Sequence, residues 1–402
     1  MSRIEELINR LCPDGVEFKK LGEVCDFVNG FAFKSSLFKN IGLPIIRITN
    51  INGISINMND LKFFDAKDYN INLQAFKIEK GDILIAMSGA TTGKIGCYNN
   101  NNIAYINQRV GKFVPNNSFL ENRYLFHFLR SKTNELYIMA GGGAQPNLSS
   151  NKLLNNFSIP IPPLEIQQEI VRILDNFTEL TNELTNELTA RKKQYEYYRD
   201  KLLTFDKDDD KVKWMKLGEI GDVCMCKRIL KQETTPKGEV PFYKIGTFGK
   251  TADSFISYEK FNEYKSKYNY PKKGDVLISA AGTIGRYIFY DGNPAYFQDS
   301  NIVWLSHDET IVSNKYLAYF YSTYPWKASN GGTISRLYNN DILKTIIPIP
   351  PLETQQRIVS ILDRFDQLCN DLTAGLPAEI EARRKQYEYY RDKLLTFKEK
   401  KA

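Results

Sequence analysis

The feature that most constrains this chain is that it is written twice. The run IPIPPLEIQQEIVRILDNF at 159–177 returns as IPIPPLETQQRIVSILDRF at 347–365, matching at fifteen of nineteen positions. ARKKQYEYYRDKLLTF at 190–205 returns as ARRKQYEYYRDKLLTF at 382–397, differing only at Lys192/Arg384. A self-similarity this strong sets the architecture before any local reading. The segments ahead of these blocks are related much more loosely. Lys20-Leu21-Gly22-Glu23 answers to Lys216-Leu217-Gly218-Glu219, and Gly81-Asp82-Ile83-Leu84-Ile85 to Gly274-Asp275-Val276-Leu277-Ile278. Gly93-Lys94 answers to Gly285-Arg286, and Gly141-Gly142 to Gly331-Gly332. The order is therefore divergent head, fixed segment, divergent head, fixed segment. We place the first head at 1–158, the first fixed segment at 159–208, the second head at 209–346 and the second fixed segment at 347–402.

The fixed segments read as long helices. Pro162-Pro163 and Pro350-Pro351 suit a helix's first turn and end what precedes them. Apolar residues then recur at Ile166, Ile170, Ile173, Phe177, Leu180, Leu184 and Leu188, and again at Tyr195, Tyr198, Leu202 and Phe205. The steps alternate between four and three, the period of a coiled-coil seam. The second copy offers Ile358, Ile361, Phe365, Leu368, Leu372, Leu376, Ile380, Arg383, Tyr387, Tyr390, Leu394 and Phe397. It is four residues longer between its matched blocks, a stutter that leaves the seam in phase. Gly375 and Pro377 fall inside that stretch and are expected to bend or interrupt the helix. The first copy carries Thr-Asn-Glu-Leu at 181–184 and again at 185–188. Because the second head is tied to the end of one helix and the start of the other, connectivity predicts an antiparallel pair. The fold class is thus two mixed α/β (α+β) domains separated by two long antiparallel coiled-coil helices, with a pseudo-two-fold internal repeat.

Both heads read as short strands broken by Asn/Gly turns, such as Pro44–Ile48 and Gly81–Ala86, with a helical stretch near each end at Glu121–Leu136 and Asn314–Tyr324. Six scattered cysteines with no Cys-x-x-Cys pair, and only two histidines, speak against zinc and for buried reduced thiols. Ser88–Ile95 resembles a phosphate-binding loop, but three residues rather than four separate its glycines and Ile95 follows the lysine. Pro13–Lys19 mimics a nuclease motif at too tight a spacing and reads as a turn entering a strand. Pro162-Pro163 lies between Ile161 and Leu164, which lack the polar group an adenine methyltransferase motif supplies. No enzyme active site emerges. No secretory signal or apolar run of about 20 residues is present, so a cytoplasmic protein without a membrane contact is expected.

A net charge of +7 allows nucleic-acid binding without demanding it. The candidates are cationic or amide residues beside turns and strand ends: Arg47, Asn50, Lys94, Gln108 and Arg109 in the first head, and Lys244, Thr247, Arg286, Gln298 and Arg336 in the second. Arg and Lys can pair with guanine, Asn and Gln with adenine, while others only position phosphates. The tyrosine-rich basic run at 191–199 could also touch nucleic acid, but Tyr195 and Tyr198 fall on seam positions. On residues alone, a coiled-coil adaptor holding two protein ligands apart remains open.

Two divergent heads alternating with near-identical Pro-Pro-Leu-Glu-x-Gln-Gln helices resemble the specificity subunit of type I restriction–modification systems, over essentially the whole chain. Leu-Gly-Glu at 21–23 and 217–219 resembles the lead-in to that family's target recognition domains, and the Thr-Asn-Glu-Leu repeat its central tetrapeptide array. The resemblance implies that each head reads one half of a bipartite double-stranded DNA site and that the helices fix the unread spacer. It implies two modification subunits docked on the helices, where we assign Ile166, Ile170, Ile173, Phe177, Leu180, Leu184, Leu188, Tyr195, Tyr198, Leu202, Ile358, Ile361, Phe365, Leu368, Leu372, Tyr387, Tyr390 and Leu394 to seam or partner docking. Two restriction subunits complete the implied assembly. S-adenosylmethionine, ATP and Mg are expected on those partners and no cofactor or metal on this chain.

Overall fold

The computed structural model describes residues 3–143, 145–326 and 336–400. The chain folds as two compact units, one built from Met1–Thr185 with Glu379–Ala402, the other from Asn186–Ala378. Each unit thus combines a head with parts of both fixed segments. Gly331-Gly332 lies outside the described residues.

In the first unit the strands are β1 (Glu17–Lys20), β2 (Cys25–Asn29), β3 (Leu43–Ile46), β4 (Lys62–Phe64), β5 (Lys77–Ile78), β6 (Ile83–Ala86), β7 (Ile95–Cys97), β8 (Ala104–Ile106), β9 (Val110–Pro115) and β10 (Ser158–Ile161). Its helices are α1 (Arg3–Leu11), α2 (Leu21–Val24), α3 (Asn122–Ser131), α4 (Thr133–Met139), α5 (Ser150–Asn156) and the start of α6 (Leu164–Leu202). An antiparallel sheet of order β2-β9-β6-β7 is accompanied by a mixed sheet of order β4-β3-β8-β5, in which β3 and β8 run parallel. The strand β6 is Ile-Leu-Ile-Ala with every residue buried, as a central strand covered on both faces must be.

The second unit repeats the plan with β11 (Lys213–Lys216), β12 (Gly221–Cys224), β13 (Val240–Tyr243), β14 (Phe255–Ile256), β15 (Val276–Ser279), β16 (Tyr287–Phe289), β17 (Tyr296–Phe297), β18 (Ile302–His307) and β19 (Ile346–Ile349). Its helices are α7 (Leu217–Ile220), α8 (Tyr258–Lys267), α9 (Asn314–Tyr321), α10 (Asn339–Lys344) and α11 (Leu352–Asn370), followed by α12 (Leu376–Leu394), which passes into the first unit. The sheets order as β12-β18-β15-β16 and β14-β13-β17, with β13 and β17 again parallel. In both heads the strand that enters the fold pairs antiparallel with the strand that leaves it: Glu17 faces Ile161, and Lys213 faces Ile349.

The fixed segments are helical, as their period predicts. The first is a single 39-residue helix. The second breaks between Asn370 and Leu376, where the Asp371 carboxylate accepts from the backbone N–H of Thr373 at 2.7 Å. A Cβ on Gly375 would meet the Gln367 carbonyl at 2.5 Å, so the break closes around a glycine. Leu372 falls in this break at 80% exposure, so it stands outside any helical seam. In the second unit Phe365 meets Tyr195 and stacks on Tyr198, while Cys369, one turn further, lies near the charges of Arg191 and Lys192. The two helices therefore run in opposite directions there. The same ring pair recurs in the first unit as Phe177 stacked on Tyr390, 5.3 Å between centroids. No helix among the described residues is long and apolar enough to cross a membrane.

Candidate nucleic-acid interface

Each fixed helix is locked to its own head by the first glutamine of the repeated motif. Gln167 is fully buried; its side-chain amide donates to the carbonyls of Phe119 and Pro162, both at 2.7 Å, and its oxygen accepts from the N–H of Glu121 at 2.8 Å. Gln355 does the same with Ile311 at 2.9 Å, Pro350 at 3.0 Å and Ser313 at 2.9 Å. A buried amide with its bonds satisfied costs little, but removing it strands three backbone groups. Tyr124 and Tyr316 add matching bonds to the carbonyls of Pro160 and Pro348.

A second joint uses the returning helix. In the first unit His127 is buried between the Asp175 carboxylate (2.7 Å) and the Tyr387 hydroxyl (3.0 Å). Arg123 is paired with Asp175, and Arg130 bonds Tyr387 at 3.0 Å. Burial disfavours the imidazolium more than Asp175 supports it, and the Arg123 and Arg130 charges add to the penalty, so His127 is pushed down to about 4. Burial alone would raise Asp175, but the bonds from His127 and Arg123 prevail and hold it at about 2.

The fixed helices thus hold each head through buried side-chain bonds. The turns that remain on each head gather several of the candidate residues. In the first head, Asn107 donates to Ile46 (3.0 Å), Met87 to Arg109 (2.8 Å) and Leu148 to Met87 (2.7 Å), while the Thr91 hydroxyl reaches Ile48. These bonds draw the turns after β3, β6 and β8 together, and with them Arg47, Lys94, Gln108 and Arg109. Gln108 and Arg109 are exposed on the turn between β8 and β9. Asn50 belongs to the cluster but is buried: its carbonyl oxygen accepts from the Arg47 N–H, and its amide donates to Asn57 and Asn59. It organises the loop that presents Arg47 and has no amide edge turned to solvent. Arg47 is itself paired with Asp60.

The second head repeats the cluster. Gln298 donates its N–H to Tyr243 at 2.9 Å and accepts the Ile245 N–H on its side chain at 3.0 Å. Thr247 closes a turn on Lys244, and Lys244 pairs with Asp253 at 2.7 Å, which holds that carboxyl below its usual range. Arg286 lies over the Phe248 ring, and Arg336 donates to the Ser300 hydroxyl at 3.1 Å. The backbone bonds show which positions correspond. Asn107 and Gln298 bond the residues that end β3 and β13, so Gln298 matches Asn107 rather than Gln108. By the same bonds Arg109 matches Asn301, and Arg336 matches Asn147. Asn107, Asn147 and Asn301 went unselected because the divergent heads give no sequence alignment there; only the shared backbone bonds reveal them.

The type I restriction modification DNA specificity domain matches the chain twice, at residues 13–191 and 209–382. The chain belongs to the type I restriction–modification specificity family. It is 46% identical over 95% of its length to a putative type I restriction enzyme specificity subunit of Haemophilus influenzae, 96% of which is covered. It is 34% identical to the EcoR124I/EcoR124II specificity subunit of Escherichia coli, over 68% of this chain and 70% of that one. The crystal structure of the S subunit from M. genitalium has the same fold, with a TM-score of 0.58 at 16% identity, covering 98% of this chain and 99% of that one. Specificity subunits are the DNA-recognition components of these systems, and the two heads are this subunit's recognition domains.

Among the seam residues, Ile166, Ile170, Ile358 and Tyr387 are buried in the core of their own units and turn inward rather than toward a partner. Ile173, Phe177, Leu184, Leu188, Tyr195, Leu202, Ile361, Phe365 and Leu394 are half-buried, and Leu180, Tyr198, Leu368 and Tyr390 are exposed. The phosphate-loop look-alike is a turn between β6 and β7 in which the Thr92 hydroxyl is spent on Gly89 and Pro146. Burial pushes the thiols of Cys25 and Cys226 up to about 12. Neither thiol is then a ready nucleophile.

Proposed function

We propose that each head reads one half of a split, asymmetric double-stranded DNA site, that the fixed helices set the length of the unread spacer, and that two modification subunits dock on the exposed side of those helices. Two restriction subunits complete the assembly. In this reading S-adenosylmethionine, ATP and Mg are bound by the partners, and the specificity subunit positions DNA without acting on it. The observation that carries the reading is the placement of Gln108 and Arg109, and of Gln298 and Arg336, in corresponding turn clusters of two heads whose helix joints are built alike. A shared scaffold with different polar groups in one place suits two readers of two sequences.

The test is to purify the chain with its modification subunit and map N6-methyladenine by single-molecule sequencing. A split asymmetric motif with constant spacing is expected. An intact complex supplied with S-adenosylmethionine that methylates nothing contradicts the reading and favours the adaptor. Deleting Thr185–Leu188 removes about 6 Å of helix. With base pairs rising about 3.4 Å, the spacer should shorten by about one or two base pairs while both half-sites stay the same. Unchanged spacing would contradict the ruler role.

A further inference from the structure

Where the heads are superposed through their strand registers, one pair of positions differs in a chemically pointed way. Cys25 faces Pro115 and Gly221 faces His307, so the residues following β2 and β12 correspond: Ala32 matches Arg228, and buried Phe33 matches buried Ile229. Between the anchors of the matching turn, Asn107 and Arg109 in the first head and Gln298 and Asn301 in the second, the first head has Gln108 and the second has Asp299 and Ser300, one residue more. The first head therefore has an alanine at the arginine's position and no acidic residue in the matching turn. The second places an arginine beside an aspartate, and the two are joined: Arg228 Nε donates to the Asp299 carboxylate at 2.8 Å.

We propose that Arg228 is a base-reading residue of the second head, held by Asp299 for a guanine in the major groove. Asp299 sits in the recognition turn with Gln298 and Ser300, and its side chain is only 17% exposed, whereas that of Arg228 is 66% exposed. The aspartate engages the guanidinium through Nε, which leaves the Nη1/Nη2 end of an exposed side chain to offer a planar fork. That fork matches guanine O6 and N7. As a stabilising device the pair is weak, since exposed ion pairs contribute little. The pair lines two clefts of about 430 Å³ and 410 Å³; the first is also lined by Lys231, Lys244 and Asn301. An unpaired Asp299 on this rim would repel DNA phosphate, and Arg228 removes that repulsion while supplying a donor.

This inference rests on the DNA reading proposed above. The experiment is methylation mapping of the intact complex carrying Arg228→Ala, Arg228→Lys or the unaltered chain, with DNA affinity measured against salt. Both variants should lose discrimination at one G·C pair, about tenfold or more. The change should fall in one half-site, with the other half-site and the spacer intact. Arg228→Lys keeps the charge but not the fork, so a variant that methylates like the unaltered chain overturns the proposal. So does a uniform fall in affinity with a shallower salt slope, which marks a phosphate contact. An unaltered complex that methylates no motif overturns both this inference and the reading beneath it.

Discussion

The two joints between a head and the fixed helices packed on it use the same helix groups to hold different heads. Asp175 and Tyr387 in the first unit correspond by sequence repeat to Asp363 and Tyr195 in the second. Against them the first head sets Arg123, His127 and Arg130; the second sets Lys315, Tyr319 and Ser322. Asp363 receives Lys315 at 2.5 Å and the Tyr319 hydroxyl at 2.7 Å, while Arg199 donates to the Ser322 carbonyl at 3.3 Å. One fixed helix thus offers a carboxylate and the other a tyrosine, and each head answers the carboxylate with its own donors, Arg123 and His127 in the first and Lys315 and Tyr319 in the second. Near-identical helices constrain what a head must present to them, and leave the chemistry of that answer free to diverge.

The largest effects should come from the struts common to both units. Gln167→Ala and Gln355→Ala each leave buried backbone groups unpaired and should destabilise their own unit by about 3 kcal/mol or more. Hydrogen exchange followed over α3 and α9 should show matched losses; a loss in one unit alone would break the equivalence. Next comes a difference in acid sensitivity. His127 stays neutral in the fold, with a pKa near 4 against an ordinary 6.5, so the unfolded chain binds the extra proton in that window. Stability of the first unit should therefore fall as pH drops from about 6.5 to 4, by on the order of 3 kcal/mol. The depressed Asp175 extends the loss as pH falls further, from its ordinary 3.8 toward 2. In the second unit the matched Tyr319 is pushed well above its ordinary value, chiefly by burial and then by Asp363, and stays protonated throughout. His127→Tyr should flatten the first unit's profile between pH 6.5 and 4; a persisting slope would place the titration elsewhere. The smallest effect concerns the stacked rings. Tyr390→Leu and Tyr198→Leu should each cost about 1 kcal/mol in chemical denaturation, because each removes the same stack on Phe177 or Phe365.

The helices were legible because their period repeats and their prolines mark the starts. Even the interruption near Gly375 shows in the sequence, since the inserted residues include a glycine and a proline. The struts were not legible: Gln167 and Gln355 sit in a visible motif, but only the fold shows that their amides reach carbonyls some 45 residues away in the chain. The candidate site was legible as a set of residue types beside turns. Asn50 was misplaced because an amide in a turn serves its own backbone as readily as a base. Arg228 stayed hidden because its meaning depends on Asp299, 71 residues on.

Because both helix joints present the same groups, the heads should be interchangeable as whole cassettes. The most direct measurement replaces residues 213–349 with a second copy of 17–161, joining at the matched registers of the entry and exit strands. Methylation by the complex carrying this chain is then mapped. A split motif is expected in which both halves are the half-site read by the first head. An asymmetric motif unchanged from the unaltered chain, from an intact and active complex, would contradict the claim that each head reads its own half-site.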